Sequence, residues 1–325
     1  MLPLAIDVMG GDNAPDAIIA GARRARDELG ANLILVGQKE IVVPLASEGF
    51  QVIVASEVIE MHDDAAASVR RKRDSSLVRS AELVKTGAAS GMISAGNTGA
   101  TMASALLKMG RIRGIARPAI ATTIPVPGST PTVVIDSGAN AEVLPPWLVQ
   151  FAEMGTVFSQ ELFEIEAPRV GVLSIGEEKG KGNELVKESY ELLEACKSIN
   201  FIGNVEGRDV MSDTVDVIVC DGFTGNIVLK TLEGAMKTLG RAIFEALGAG
   251  DNGPEVLDLA VPKLLPLLEE LNPDTYGGAM LLGVNGICVI SHGSSSPTAI
   301  YNAISTSMRL SAHGLVPKLA DAISE

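Results

Sequence analysis

Aromatic side chains are scarce: they make up 3% of the 325 residues, with a single Trp and three Tyr. Platforms for single-stranded nucleic acid stack bases on such rings, so that class is excluded. Positive charge is also in deficit. Lys and Arg number 26 against 40 Asp and Glu, a net charge of −14, which is the wrong sign for general nucleic-acid binding. The three cysteines, Cys196, Cys220 and Cys288, are far apart and odd in number. They form neither a disulfide framework nor a CxxC clip, and they suit a reducing, cytoplasmic setting. The three histidines, His62, His292 and His313, lack metal-ligand spacing, so no metal site is expected. No apolar run reaches the ~18 residues of a spanning helix. The opening Met1-Leu2-Pro3-Leu4-Ala5-Ile6-Asp7 has no basic region, so no secretory signal is expected.

Nucleotide motifs are incomplete as well. Three residues separate Gly176 from Gly180 before Lys181, and Gly182 follows; a Walker loop has four there and then Ser or Thr. GxGxxG fails at Gly180-Lys181-Gly182, and no GxSxG elbow occurs. Neither ATP nor a dinucleotide is supported, and no cofactor is expected.

What the chain does have is apolar residues, at 46%, and 34 glycines. Its length suits one large domain or two smaller ones. Short apolar runs alternate with helical stretches. Strands are expected at Leu4 to Val8, Leu33 to Val36, Val52 to Ala55, Met92 to Ser94, Val133 to Ile135, Val170 to Ile175, Val217 to Cys220 and Ile287 to Ile290. Helices are expected at Pro15 to Leu29, 77–86, 98–109, 145–165, 184–197, 225–247 and 297–309. This alternation predicts a three-layer α/β fold with a mainly parallel sheet covered on both faces. We expect one compact domain over residues 1–325 with two lobes. Pro125 to Pro131 is the candidate hinge, and an apolar segment protrudes near 250–275.

Glycine concentrates where apolar runs end. The corners are Met9-Gly10-Gly11-Asp12, Ser94-Ala95-Gly96-Asn97-Thr98-Gly99, Asp136-Ser137-Gly138-Ala139-Asn140, Gly176 to Asn183, and Asp221-Gly222-Phe223-Thr224-Gly225-Asn226. Ligands of open α/β sheets bind beyond strand carboxyl ends, where loop amides and helix N-termini attract anions. The plainer reading is that Gly relieves tight turns and that Asn, Asp and Thr cap helices. His292, in Ser291-His292-Gly293-Ser294, reads as another strand end. Asp7 reads as a buried hydrogen-bonding carboxylate. Arg70-Arg71-Lys72-Arg73 is a basic run in an acidic chain, either a solvated face or a dock for an acidic partner. Between Val256 and Leu271 there are too many leucines for one solvated helical face. Core packing, a dimer contact or a membrane-surface contact through Leu264, Leu265 and Leu268 would each use them.

Taken together these phrases resemble the bacterial phosphate acyltransferase family, the acyl-carrier-protein:phosphate acyltransferases of phospholipid synthesis. The resemblance rests on Ile6 to Asp12, Ser94 to Ala100, Gly114-Ile115-Ala116-Arg117-Pro118, Ile175 to Glu178, Lys181-Gly182-Asn183, Phe201 to Asp209, Cys220 to Asn226 and Ile290 to Ser295. Ser137 and Met280 depart from the family pattern, at an apolar and a Pro position respectively. The resemblance implies a fold like the isocitrate/isopropylmalate dehydrogenases and phosphotransacetylases, and a homodimer. It implies the reaction of long-chain acyl carrier protein with inorganic phosphate to give acyl phosphate. It further implies a downstream membrane glycerol-3-phosphate acyltransferase and peripheral association with the inner face of the membrane. For that chemistry, Lys181, Asn226 and His292 are the candidate catalytic residues. Gly96, Asn97, Thr98, Asn183, Asp221 and Gly225 are the candidate phosphate and substrate contacts in the same pocket. Arg70, Arg71, Lys72 and Arg73 would dock the acidic carrier. The competing readings are a phosphotransacetylase acting on short acyl-CoA and a non-catalytic membrane-surface scaffold; a nicotinamide dehydrogenase is more distant.

Overall fold

The computed structural model describes residues 2–324. In chain order the strands are β1 (Leu4–Asp7), β2 (Leu33–Gly37), β3 (Gln51–Val54), β4 (Gly91–Ser94), β5 (Ala119–Ile124), β6 (Thr132–Ile135), β7 (Arg169–Leu173), β8 (Asn200–Val205), β9 (Val217–Val219), β10 (Ala279–Leu282) and β11 (Ile287–Ile290). The helices are α1 (Asp16–Leu29), α2 (Lys39–Ala46), α3 (Ala65–Arg71), α4 (Ser76–Lys85), α5 (Thr98–Ser104), α6 (Pro145–Phe163), α7 (Glu184–Ala195), α8 (Gly222–Leu247), α9 (Gly253–Glu270), α10 (Pro297–Ala312) and α11 (Leu315–Ser324). A π-turn over Ala105–Met109 extends α5.

All the strands form one sheet in the order β3-β2-β1-β4-β11-β10-β5-β6-β9-β7-β8. Its central strands are buried on both faces, which is why they read as short apolar runs rather than alternating ones. Successive residues still serve opposite faces. Leu4 and Ile6 join one core cluster and Ala5 another; Val133 and Ile135 face one side and Val134 the other. One face packs against α1, α6 and α10. On the other, α4 and α5 cover β1, β4 and β11, while the start of α8 covers β6 and β9.

Strand direction decides where the corners go. β3, β2, β1, β4 and β11 run parallel. β10 is antiparallel to β11 and to β5, and β5 is antiparallel to β6. β6, β9, β7 and β8 are again mutually parallel. The two parallel blocks therefore point in opposite directions, and their carboxyl ends lie at opposite edges of the sheet. We call the edge after β1, β4 and β11 the upper edge, and that after β6, β7 and β9 the lower edge.

Several expectations change. The segment Pro125 to Pro131 is the turn between antiparallel β5 and β6, not a connection between separate halves. β5, β8 and β10 are strands in stretches to which the sequence pattern assigns no element. The apolar segment is helix α9, despite Pro262 and Pro266. These prolines stand four apart, so the missing amide bonds fall on one face. In a helix with only Gly253 buried, water can satisfy the carbonyls of Asp258 and Pro262 that lose their partners. No helix among the described residues is long and apolar enough to cross a membrane.

Candidate active site

The upper edge is built around Asp7, buried at the end of β1. Its carboxylate accepts from Ser94 Oγ at 2.7 Å and from the Met9 amide at 3.2 Å. Burial pushes its carboxyl up despite these bonds. The turn folds tightly over it: a Cβ on Gly10 would lie 2.7 Å from Asp7 Oδ2 and from the Gly96 nitrogen. The Asp12 amide donates to Gly293 O at 2.7 Å, tying the β1 corner to the β11 corner.

Most donors here are already engaged. The Gly96 amide donates to Ser94 Oγ. Asn97 caps α5 by accepting from the Ala100 amide at 3.0 Å, and its Nδ2 donates to Met61 O and Asp63 O. Its side-chain groups are thus used in holding the preceding loop. Thr98 is exposed and makes no side-chain bond among the described residues. Lys72 donates to Asp63 and to Val58 O, whereas Arg70, Arg71 and Arg73 remain exposed.

The lower edge is built around Asp136, buried at the end of β6. Oδ1 accepts from the amides of Ile120, Gly138 and Ala139, and Oδ2 from the amide and Nδ2 of Asn140, all within 3.1 Å. Burial nonetheless pushes this carboxyl up as well. Asn140 connects the corner to its surroundings: its Nδ2 donates to Pro118 O at 2.8 Å, and its carbonyl accepts from the Gly222 amide at 2.7 Å. α8 then passes so close that a Cβ on Gly225 would collide with the Asp136 carbonyl. Packing alone therefore requires glycine at 225. Asp221 caps α8, accepting from the Thr224 amide and hydroxyl. Asn183 caps α7, accepting from the Val186 amide at 3.0 Å.

These bonds revise the expected anion cradle. The amides of Gly96, Gly138, Ala139, Asn140, Gly222 and Gly225 are all bonded within the chain. At the lower edge the protein's own carboxylates, Asp136 and Asp221, fill the concavities that glycine opens. What remains for a ligand is side-chain donors together with loop amides, among them those of Gly182 and Asn183, that have no partner among the described residues. Lys181 is exposed and has neither ion pair nor side-chain hydrogen bond among the described residues. Asn183 keeps its Nδ2 group free in the same sense, and Asn226 keeps its whole carboxamide, beside Gly138.

The corners thus do not share one edge. Lys181, Asn183, Asp221, Gly225 and Asn226 lie on the lower edge; Gly96, Asn97, Thr98 and His292 lie on the upper. α8 links the two. It climbs from Asp221 toward the upper edge, and its Lys230 Nζ stands 3.3 Å from His292 Nε2. Lys230 also bonds Glu233 at 2.9 Å, and His292 Nδ1 meets Ser294 Oγ at 3.2 Å. An ammonium only donates, so Nε2 is the acceptor in that contact. Lys230 and Glu233 were not anticipated from the sequence. With Asn226 they recur at helical spacing on one face of α8, which is the signal that could have found them. Burial pushes the thiols of Cys220 and Cys288 up, the latter to about 12, so neither suits a nucleophile.

A family model described as "Fatty acid synthesis protein" matches residues 2–318. A phosphate acyltransferase from Elusimicrobium minutum is 46% identical over 329 residues, covering 99% of this chain and 96% of its own. One from a Cyanothece species is 44% identical over 308 residues, covering 93% and 89%. Among solved structures, a phosphotransacetylase from Streptococcus pyogenes aligns with a TM-score of 0.63 over 96% of this chain and 94% of its own; at 19% identity this is a likeness of fold. On the strength of the near-full-length matches, this chain belongs to the fatty acid synthesis protein family, among the phosphate acyltransferases.

Proposed function

We propose that the chain moves a long-chain acyl group from the thioester of an acyl carrier protein to inorganic phosphate, an early step of phospholipid synthesis. The observation that carries this reading is the 46% identity to a phosphate acyltransferase across 99% of the chain. The lower edge suits the chemistry. Hydrogen phosphate already bears anionic oxygens at neutral pH. One attacks the thioester carbonyl carbon, a C–O bond forms, and the tetrahedral oxyanion collapses by breaking the C–S bond. The departing thiolate takes the proton that hydrogen phosphate brought, so carrier thiol and acyl phosphate balance the substrates.

Such a reaction is accelerated by seating the anion against the carbonyl and by donors aimed at the developing oxyanion. In this reading the Lys181 ammonium and the Asn183 Nδ2 group hold phosphate, and the Asn226 carboxamide donates to the oxyanion. His292 stays at the upper edge, where its Nε2 accepts from Lys230 of α8, and the departing sulfur takes its proton from hydrogen phosphate. Gly96, Asn97, Asp221 and Gly225 act as scaffold for these groups. Thr98 has a free hydroxyl at the opposite edge, available to the substrate's far end.

The remaining features extend the proposal. Arg70 and Arg71 at the end of α3, with Arg73 just beyond it, form an exposed basic patch beside the Asn97 corner, the dock for the acidic carrier that the sequence suggests and one to be tested against other basic surfaces. α8 and α9 expose Leu239, Ile243, Leu259, Leu265 and Leu268, with Leu264 half-buried. Such a surface suits a homodimer contact and peripheral attachment to the inner membrane face, where a glycerol-3-phosphate acyltransferase would take the product. Leu265→Asp with Leu268→Asp should lower co-sedimentation with phospholipid vesicles at least fivefold.

The test of the reaction is direct. Purified protein with palmitoyl-acyl carrier protein and phosphate should yield hydroxylamine-trapped acyl hydroxamate and free carrier in equal amounts. Acetyl-CoA should be a poor substrate. Preference for acetyl-CoA would mean a phosphotransacetylase, and vesicle binding with neither turnover would mean a scaffold.

A further inference from the structure

The loop between α5 and β5 is cationic in an otherwise acidic molecule. From Leu83 to Ile135 there is no Asp or Glu, whereas Lys85, Lys108, Arg111, Arg113 and Arg117 all fall within that stretch. Lys108 is paired with Glu82. Arg111, Arg113 and Arg117 are exposed, and none forms an ion pair among the described residues. Arg111 reaches only the Ala116 carbonyl of its own loop. Arg117 lies over the ring of Trp147, 5.1 Å from its centroid. Arg113 has no side-chain partner among the described residues. Like charges repel one another, and no carboxylate among the described residues pairs with these three.

The loop is nonetheless held firmly. Ile112 and Ile115 are buried to within 4% exposure and anchor it in the core. Gln150 clamps it twice, accepting from the Ala116 amide at 2.8 Å and donating to Gly114 O at 3.0 Å. Asn285 donates to Arg111 O at 2.8 Å. Gly114 turns the chain at φ +95, where a side chain would be strained. The result is a preorganised platform that keeps guanidinium groups facing solvent. Guanidinium and tryptophan side chains are also the types that dominate protein interfaces.

Its position gives it a use. β5 starts at the lower edge, so the loop that feeds it lies there too. Pro118 O, directly after Arg117, accepts from Asn140, whose carbonyl accepts from the first amide of α8. The platform and the Asn226 corner therefore share one bonded framework. Arg70, Arg71 and Arg73 lie on the opposite edge.

We propose that Arg111, Arg113 and Arg117, the last lying over Trp147, are the surface on which the acidic acyl carrier protein docks to present its thioester to the lower edge. This rests on the acyltransferase reading and adds to it the place where the carrier binds. Charge complementarity of this kind chiefly steers encounter and is weakened by salt, with a screening length of about 8 Å at physiological strength.

The experiment compares Arg111→Glu/Arg113→Glu/Arg117→Glu with Arg70→Glu/Arg71→Glu/Arg73→Glu. The first should raise KM for palmitoyl-acyl carrier protein at least tenfold at low salt and flatten its salt dependence. KM for phosphate and turnover of a small diffusible palmitoyl thioester should stay within twofold. Arg113→Glu alone, which breaks no internal bond, should raise the carrier KM about threefold. Trp147 is the sole tryptophan, so its fluorescence should respond to unacylated carrier in the wild type and not in the triple variant. An unchanged carrier KM in the loop variants, or a rise confined to the α3 variant, would overturn the proposal. If carrier perturbs Trp147 but the wild type makes no acyl phosphate from it, the docking surface stands and the acyltransferase reading fails.

Discussion

Asp7 and Asp136 occupy equivalent places at opposite edges. Each is a buried carboxylate at the end of a β-strand, followed by a glycine-bearing turn. They are held differently. Asp7 takes its shortest bond from a hydroxyl, that of Ser94, and a longer one from the Met9 amide. Asp136 is ringed by backbone amides and Asn140. The surroundings differ in a second way. On the upper edge the Asn97 carboxamide is fully engaged in holding a neighbouring loop. On the lower edge Lys181, Asn226 and the Asn183 Nδ2 group remain free among the described residues. The same residue type thus has its carboxamide fully engaged at one corner, in Asn97, and keeps free donors at the other, in Asn183 and Asn226.

The largest expected effect on stability is at Asp136. Asp136→Asn would aim an NH2 group at amides that can only donate, and should cost about 2–4 kcal/mol in urea unfolding. Asp7→Asn should cost about half as much, because serine hydroxyls can rotate from donor to acceptor. Equal losses would erase the distinction between the corners. Next, Lys181→Ala should slow acyl phosphate formation at least tenfold with the fold intact. A near-normal rate in folded protein would remove Lys181 from the site. Asn97→Ala should do the reverse: about 1 kcal/mol less stable through loss of a helix cap, with kcat of the folded fraction within twofold. A large kcat loss there would move chemistry to the upper edge.

The smallest effect is a pH slope. Burial raises both carboxyls above the usual 3.8, so the folded state holds those protons more tightly than the unfolded chain. Their contribution to stability is full below about pH 4 and is lost as pH rises through the raised values. Subtracting the unfolding curve of Asp7→Asn from that of the wild type should therefore give a difference that falls with rising pH. A rising difference would mean that hydrogen bonding outweighs burial.

The buried strands were legible because residues enclosed on both faces leave unbroken apolar runs; β1, β2, β4, β6, β7, β9 and β11 all read this way. β8, at the sheet edge, mixes exposed Asn200 and Ile202 with buried Val205. β5 follows Pro118 and is rich in Ala and Thr, and β10 is a four-residue run after two glycines. The last two are the antiparallel strands that reverse the sheet. Missing them made every corner look as if it faced the same way, which is why a single convergent cradle was expected. The capping roles of Asn97, Asn183 and Asp221 were legible from position. Which of them keeps a free donor was not, since Asn97 is engaged by Met61 and Asp63, far from it in sequence. The Lys230–His292 contact likewise joins residues 62 apart.

The account turns on the lower edge supplying donors to the reacting carbonyl, and Asn226 is the residue that tests it most directly. Under saturating palmitoyl-acyl carrier protein and phosphate, folded Asn226→Ala should form acyl hydroxamate about a hundredfold more slowly than the wild type, the loss typical of one oxyanion donor. Hydroxamate formation at the wild-type rate by folded Asn226→Ala would contradict it.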